Sequence, residues 1–427
     1  MRFGESTIIP LTRQLTERLG LDWKRRLRLL VSRQARLPQL AKNDEGMMHR
    51  VEGLRCLGKS GLEGVQARLK EEIVPRDLFS LTVQSCVTSD VHCFMACVAL
   101  AEAMPHLHGA FIAAMEWVEP VQLYELMEGW RTDSELHRLT NLQLLADARF
   151  DDLNISSAIS EVRTQAEQRL LLRAARLRTR PDWVRVSLEK NVTALSDGEL
   201  QWELCAHHLL FGGASERGQL LEQACEHVRR SQEAEIEWWI TLLASEPGQC
   251  GERVVQTLSK YIGISKCYII GLGWLGKIQC IPELIDLLDD SSLARVAAQT
   301  ISMLTGSMPE KDGWQQATDA MSTDKNQTND QQRDSDSHLP WPDKERFLPW
   351  WDEHRKEFDA DALYLLGRKR EPRELVDLLR EASLTWRPAA AWMLQRQKPA
   401  MALDTNATAF RQIMNLAHLE QLVEPNV

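Results

Sequence analysis

His92, Cys93 and Cys97 lie within six residues of one another, and Cys205, His207 and His208 form a second tight group. Imidazole nitrogen and thiolate sulfur are the usual zinc ligands, so metal chemistry is the first possibility these residues raise. A zinc site sets two closely spaced ligand pairs apart by a loop. Neither group has that grammar. Cys93 and Cys97 stand one helical turn apart in the apolar run CFMACVALAEAM, a spacing that reads as buried packing. No metal and no cofactor are expected. Acyl transfer would call for a G-x-S-x-G elbow, and nucleotide chemistry for a P-loop or a strand-borne glycine fingerprint; the sequence has none of these. GLGWLG at 271–276 closes a helix instead of following a strand, so its glycines serve close packing and a helix end.

A different constellation is Trp238-Trp239 beside Glu235 and Glu237, with Arg229 and Arg230 a turn or two earlier. It resembles the HEAT-like DNA glycosylases, which bind DNA in a basic concave groove and use tryptophans and an acidic residue around the damaged nucleotide. That resemblance implies a nucleic-acid enzyme. The net charge of −10 opposes it, because phosphate binding needs a basic surface. Adjacent tryptophans in EIEWWITLLA are also what a helix uses to place one ring in the core and one at its edge. The chain is therefore read as a non-enzyme with nucleic acid disfavoured as a partner.

One stretch departs from the acidic balance. WKRRLRLLVSRQAR at 23–36 concentrates Lys24, Arg25, Arg26, Arg28, Arg33 and Arg36. The pattern predicts an amphipathic helix with Leu27, Leu30 and Val31 facing inward and the cations in solvent. Its sharper reading is a basic patch for an acidic surface on a partner, or for nucleic acid. The aromatic content points the same way, toward recognition. Fourteen tryptophans accompany only four tyrosines and nine phenylalanines, and tryptophan is enriched at the centres of protein interfaces. Trp341, Trp350, Trp351 and Trp386, with Arg387, are the candidate protein-binding residues; the bland alternative is that such rings fill gaps between stacked helices.

The elements that would position these groups are helices. Apolar residues recur at three- and four-residue spacing, and period-two alternation is nearly absent. Residues 283–299, ELIDLLDDSSLARVAAQ, are echoed by ELVDLLREASLTWRPAAA at 374–391. Ile281, Leu284, Ile285 and Leu288 form one stripe, Pro282 suits a first helical turn, Asp289 to Ser292 make a polar turn, and Gly306 is placed to end the second helix. Setting Gly276 against Gly367 aligns the copies, and one inserted residue brings Arg295-Val296-Ala297-Ala298 onto Arg387-Pro388-Ala389-Ala390. Pro388 predicts that the second copy's second helix starts near it. IIGLGWLG at 269–276 and ALYLLG at 362–367 both read as leucine-rich helix ends. Weaker echoes lie at 53–69 and 170–190.

These units resemble HEAT-like repeats, which stack because no single hairpin can bury its own apolar face. The expected fold is all-α, an α-solenoid of HEAT-like helical hairpins interrupted by a polar disordered loop. Its divisions are an N-terminal helical cap at 1–50, a helical array at 51–306, a polar flexible insert at 307–338, and a C-terminal repeat and cap at 339–427. The insert carries STDKNQTNDQQRDSDSH, whose ordering would cost entropy for little burial. No apolar run is long enough to span a bilayer, and MRFGESTIIPLTRQLTERLG lacks the apolar core of a secretory signal, so a cytoplasmic location is expected.

LPWPD at 339–343, Trp350-Trp351, LYLLGR at 363–368, Arg387 with its alanines, and Phe410-Arg411-Gln412 resemble a narrower group. This is an uncharacterised proteobacterial family of HEAT-repeat proteins often encoded beside type VI secretion genes. The resemblance covers roughly 265–412 and carries no catalytic residues. It implies a non-enzymatic adaptor or chaperone whose partner is another protein, a secreted effector or a spike component. The alternatives are the glycosylase-type enzyme and an immunity protein that blocks a toxin.

Overall fold

The computed structural model describes residues 5–32, 34–58, 73–130, 132–146, 162–184, 198–213, 244, 249–316 and 339–423. Over these residues the protein is mostly helical, and the described strand is one hairpin of two two-residue strands. No helix among the described residues is long and apolar enough to cross a membrane. The chain forms two compact units, residues 1–190 with 376–427, and residues 191–375.

The first unit begins with α1 (Glu5–Leu30) and α2 (Leu37–Leu57). It continues through α3 (Pro75–Val87), α4 (Val91–Ala103), α5 (His108–Met115), α6 (Pro120–Gly129), α7 (Glu135–Ala146) and α8 (Gln165–Leu177). Its starts follow local chemistry. Asp90 accepts the Cys93 N–H to cap α4, and Thr164 with Glu167 forms a capping box at α8. The core between α4, α5 and α7 is aromatic. Trp130 is fully buried, edge-on to Phe94 and Phe111 at 5.9 and 5.5 Å.

The second unit holds α9 (Gly198–Phe211), α10 (Gln249–Ile262), α11 (Lys266–Leu275), α12 (Ile281–Asp286), α13 (Ala294–Thr305), α14 (Pro309–Asp312) and α15 (Lys344–His354), then β1 (Tyr364–Leu365) and β2 (Arg368–Lys369). The first of the two similar stretches folds as expected. Pro282 lies in the first turn of α12, Ile281, Leu284, Ile285 and Leu288 are buried, and Gly306 ends α13 in the left-handed conformation. IIGLGWLG ends α11 at Gly276, also left-handed.

ALYLLG does not end a helix. It is the β1–β2 hairpin, with Leu366 and Gly367 at positive φ in the turn. The hairpin supplies donors to helix ends. Leu366 and Gly367 N–H bond the Met303 and Leu304 carbonyls at 2.6 and 3.1 Å, and Arg370 Nη2 bonds the Trp274 carbonyl at 2.9 Å. The last carbonyls of a helix have no intrahelical partner, so the hairpin completes α11 and α13 at once. The sequence match of Gly276 to Gly367 therefore aligns two positive-φ glycines that serve different structures. Burial lowers the Arg370 guanidinium to about 9.

The second similar stretch forms α16 (Pro372–Glu381) and α17 (Arg387–Gln397), followed by α18 (Ala409–Val423). Pro388 sits in the first turn of α17, as its sequence position required. The boundary between units falls inside α16. In the first unit, Ser383 bridges Arg36, and the Leu384 N–H bonds the Ala35 carbonyl at 2.7 Å, so this copy is paired with the α1–α2 connection.

Candidate interaction surfaces

Of the candidate tryptophans, Trp341 lies just before α15, and Trp350 and Trp351 lie on it. Asp343 caps it by accepting the Arg346 N–H at 3.1 Å. Phe347 turns inward, fully buried 4.8 Å from buried Trp314, whose Nε1 donates to Ser307 Oγ. That anchors the helix and leaves Trp350 and Trp351 half-buried. Trp350 stacks on His354 at 4.4 Å, and His354 Nδ1 donates to the Trp350 carbonyl at 2.8 Å. Trp351 lies 5.8 Å from Phe358. Trp341, also half-buried, carries the Arg295 guanidinium 4.6 Å over its ring, and Lys344 pairs with Asp289. Both contacts tie the 341–344 segment to the turn and second helix of the first repeat-like hairpin. The Gln316 N–H bonds the Trp341 carbonyl, and Gln315 bridges Pro342, so the chain is pinned on either side of 317–338. Those residues lie outside the described ones. Leu348, Asp352 and Glu353 are exposed beside the rings. Half-exposed rings on a fixed frame with a polar rim are what a protein-binding centre offers.

Trp386 belongs to the first unit, at the start of α17, and is half-buried. Its neighbour Arg387 is fully buried, where Nε donates to the Leu379 carbonyl at 2.6 Å and Nη1 to Gln412 Oε1. Arg387 thus ties α16, α17 and α18 together from inside the protein, whereas its sequence position suggested a binding surface. Its repeat counterpart, Arg295, is half-exposed on Trp341. Burial lowers the Arg387 guanidinium to about 10. Phe410-Arg411-Gln412 also divides: Phe410 is 70 % exposed, Arg411 faces Glu116 at 3.8 Å, and Gln412 is buried.

The basic run splits in the same way. Lys24, Arg25 and Arg28 are exposed on α1, and Arg33 lies outside the described residues. Arg26 is buried, with Nε bonded to both Asp44 carboxylate oxygens at 3.0 and 3.3 Å and Nη2 to the Asn406 and Ala407 carbonyls. Asp44 also accepts the Ala409 N–H at 2.8 Å. Burial raises the Asp44 carboxyl above its ordinary value, against the opposing pull of Arg26 and the Ala409 N–H. Leu27 and Val31, expected inward, are exposed. The phase of α1 is instead fixed by buried Thr12, Thr16, Leu19, Trp23 and Arg26. Hydropathy alone cannot find that stripe, because its last member is an arginine that only a distant carboxylate makes tolerable inside.

In the two Cys/His groups the cysteines and His207 pack inside, while His92 is exposed and His208 half-buried. Cys86, Cys93 and Cys97 are buried, and burial pushes the Cys97 thiol up to about 12, far from a reactive thiolate. Cys205 and His207 are buried on α9, and burial, with His208 adding a smaller push, lowers His207 to about 4. Cys56, by contrast, is exposed. Among the described residues no group of three or more His, Cys, Asp or Glu is placed to hold a metal ion. Arg229, Arg230, Glu235, Glu237, Trp238 and Trp239 lie outside the described residues. Compared with protein-family models, curated proteins and solved structures, the chain matches none.

Proposed function

We propose that the protein is a non-enzymatic, protein-binding scaffold built from HEAT-like helical hairpins, acting in the cytoplasm as an adaptor or chaperone for a type VI secretion effector or spike component. The observation that carries the binding role is the half-exposed tryptophan group at 341–351, braced by Arg295, His354 and Phe347. Preformed aromatic anchors bind without the entropy loss of ordering them. The repeat reading is supported by the sequence match between α12–α13 and α16–α17. The secretion setting rests on the sequence resemblance alone. The test is capture of partners from native lysate on the tagged full chain and on its Trp350→Ala/Trp351→Ala variant. An effector or spike component retained by the first and lost by the second supports the proposal. Equal retention by both places binding elsewhere, and recovery of no secretion component removes the setting.

A further inference from the structure

We propose that the outward face of α1 is a docking surface for an acidic amphipathic helix of a partner protein. The proposal rests on the scaffold reading and adds the partner's chemistry. Arg18, Leu21, Lys24 with its neighbour Arg25, and Arg28 recur at three- and four-residue spacing along α1, Val31 follows just past its end, and all are exposed, Leu21 at 51 % and Val31 at 75 %. The face runs about 20 Å at the helical rise, the length of some four turns of a partner helix. Among the described residues no carboxylate pairs with Arg18, Lys24, Arg25 or Arg28. Glu17 pairs with Arg13, and Asp22 pairs with Arg50 at 2.9 Å. The helix dipole accounts for a cation in the last turn, Arg28, but not for Arg18, Lys24 or Arg25 further back.

The face is also held still. Trp23 stacks on Phe79 at 4.7 Å and 7°, Leu19 is fully buried, and Arg26 is bonded to Asp44 and two carbonyls. A side chain at Gly20 would strike the Arg76 carbonyl, so α1 packs closely on α3 there. Burying Arg26 sets the rotation of α1 about its axis, and that rotation turns the other cations outward together.

Charge complementarity decides the occupant. The whole chain carries −10, so a long polyanion such as DNA, or an anionic membrane, meets net repulsion beyond the stripe. A short acidic helix feels mainly the local field, since screening cuts interactions off at about 8 Å in physiological salt. Leu21 and Val31, interleaved with the cations, favour a partner with apolar side chains of its own at helical spacing over a bare phosphate backbone.

The test uses the full chain and a fluorescent, helix-forming peptide of about four turns, with glutamates on one face and leucines along its edge. A scrambled peptide of the same composition, duplex DNA and phosphatidylserine vesicles serve as competitors. The expected result is preferential binding of the amphipathic peptide, weakening as salt rises, and reduced at least about tenfold by Lys24→Glu/Arg25→Glu/Arg28→Glu. Leu21→Ala weakens binding a few-fold. Far-UV circular dichroism identical to wild type guards against unfolding of the variants. Equal binding of the scramble, indifference to the triple reversal, or stronger binding to DNA or vesicles overturns the proposal. Failure here with intact retention of a secretion partner would leave the scaffold reading standing.

Discussion

Replacing Asp44 by alanine tests the logic of the first unit most sharply. Arg26 and Asp44 are both almost wholly buried, with side-chain exposure of 5 % each. Alanine would leave the Arg26 guanidinium inside the protein with the Asn406 and Ala407 carbonyls and the Trp117 ring, 5.8 Å away, but no carboxylate, and would strand the Ala409 N–H at the start of α18. Breaking a buried pair by removing one partner costs about 3–5 kcal/mol. The orphaned N–H belongs inside that range, because the two losses share one carboxylate. A loss of about 4 kcal/mol is a large part of the 5–15 kcal/mol that typically holds a folded protein. Removing both partners, as Arg26→Met with Asp44→Leu, should cost well under the sum of the single changes, with a coupling of about 2–3 kcal/mol. Because the chain has two units, a single bulk melt would blur the result. Amide hydrogen exchange along α1 and α18 in low urea reads the local opening energy directly. A cost below about 1 kcal/mol for Asp44→Ala, or additive single variants, would refute the claim that this pair locks the N-terminal helices to α18.

His207 binds its proton more weakly folded than unfolded, since burial lowers it from 6.5 to about 4. The unfolded chain therefore takes up the extra proton, stability is complete above the unfolded value near 6.5, and it falls by about 3 kcal/mol as pH drops toward 4. His207→Leu should flatten that slope in denaturation followed between pH 7 and 4.5. A β-carbon at Gly367 would meet the Thr305 carbonyl at a backbone angle of +77°, so Gly367→Ala should lower stability by more than about 2 kcal/mol and expose the α13 end to exchange. Arg387→Met removes a buried guanidinium that bonds one carbonyl and Gln412 without a bonded carboxylate; Arg387→Ala adds a cavity to that loss. Alanine should cost at least about 2 kcal/mol more than methionine in urea denaturation.

Periodicity made the helices legible, and the two similar stretches gave the hairpins together with the starts at Pro282 and Pro388. Local pattern was sufficient there because the signals act within a turn or two of themselves. It failed wherever a residue's role depends on a distant partner. ALYLLG looks like a helix end, yet it folds as a hairpin that donates to α11 and α13. Arg26 and Arg387 look like surface cations until Asp44, Gln412 and scattered carbonyls are brought to them. Among the candidate residues, Trp341, Trp350, Trp351 and Trp386 are half-buried, and Lys24, Arg25 and Arg28 are exposed. Phe410, Ile413 and Met414 of α18 are exposed, and nothing local in the sequence says that they lie outward.

The proposed scaffold role requires that the tryptophan group at 341–351 meet another protein. A photo-crosslinking amino acid at Leu348, which is exposed beside Trp350 and Trp351, tests it in living cells of the organism that encodes the chain. The expected result is an adduct with a secretion effector or spike component, lost when Trp350 and Trp351 are both alanine. Crosslinks confined to the chain itself, or an adduct unaffected by the tryptophan substitutions, would contradict it.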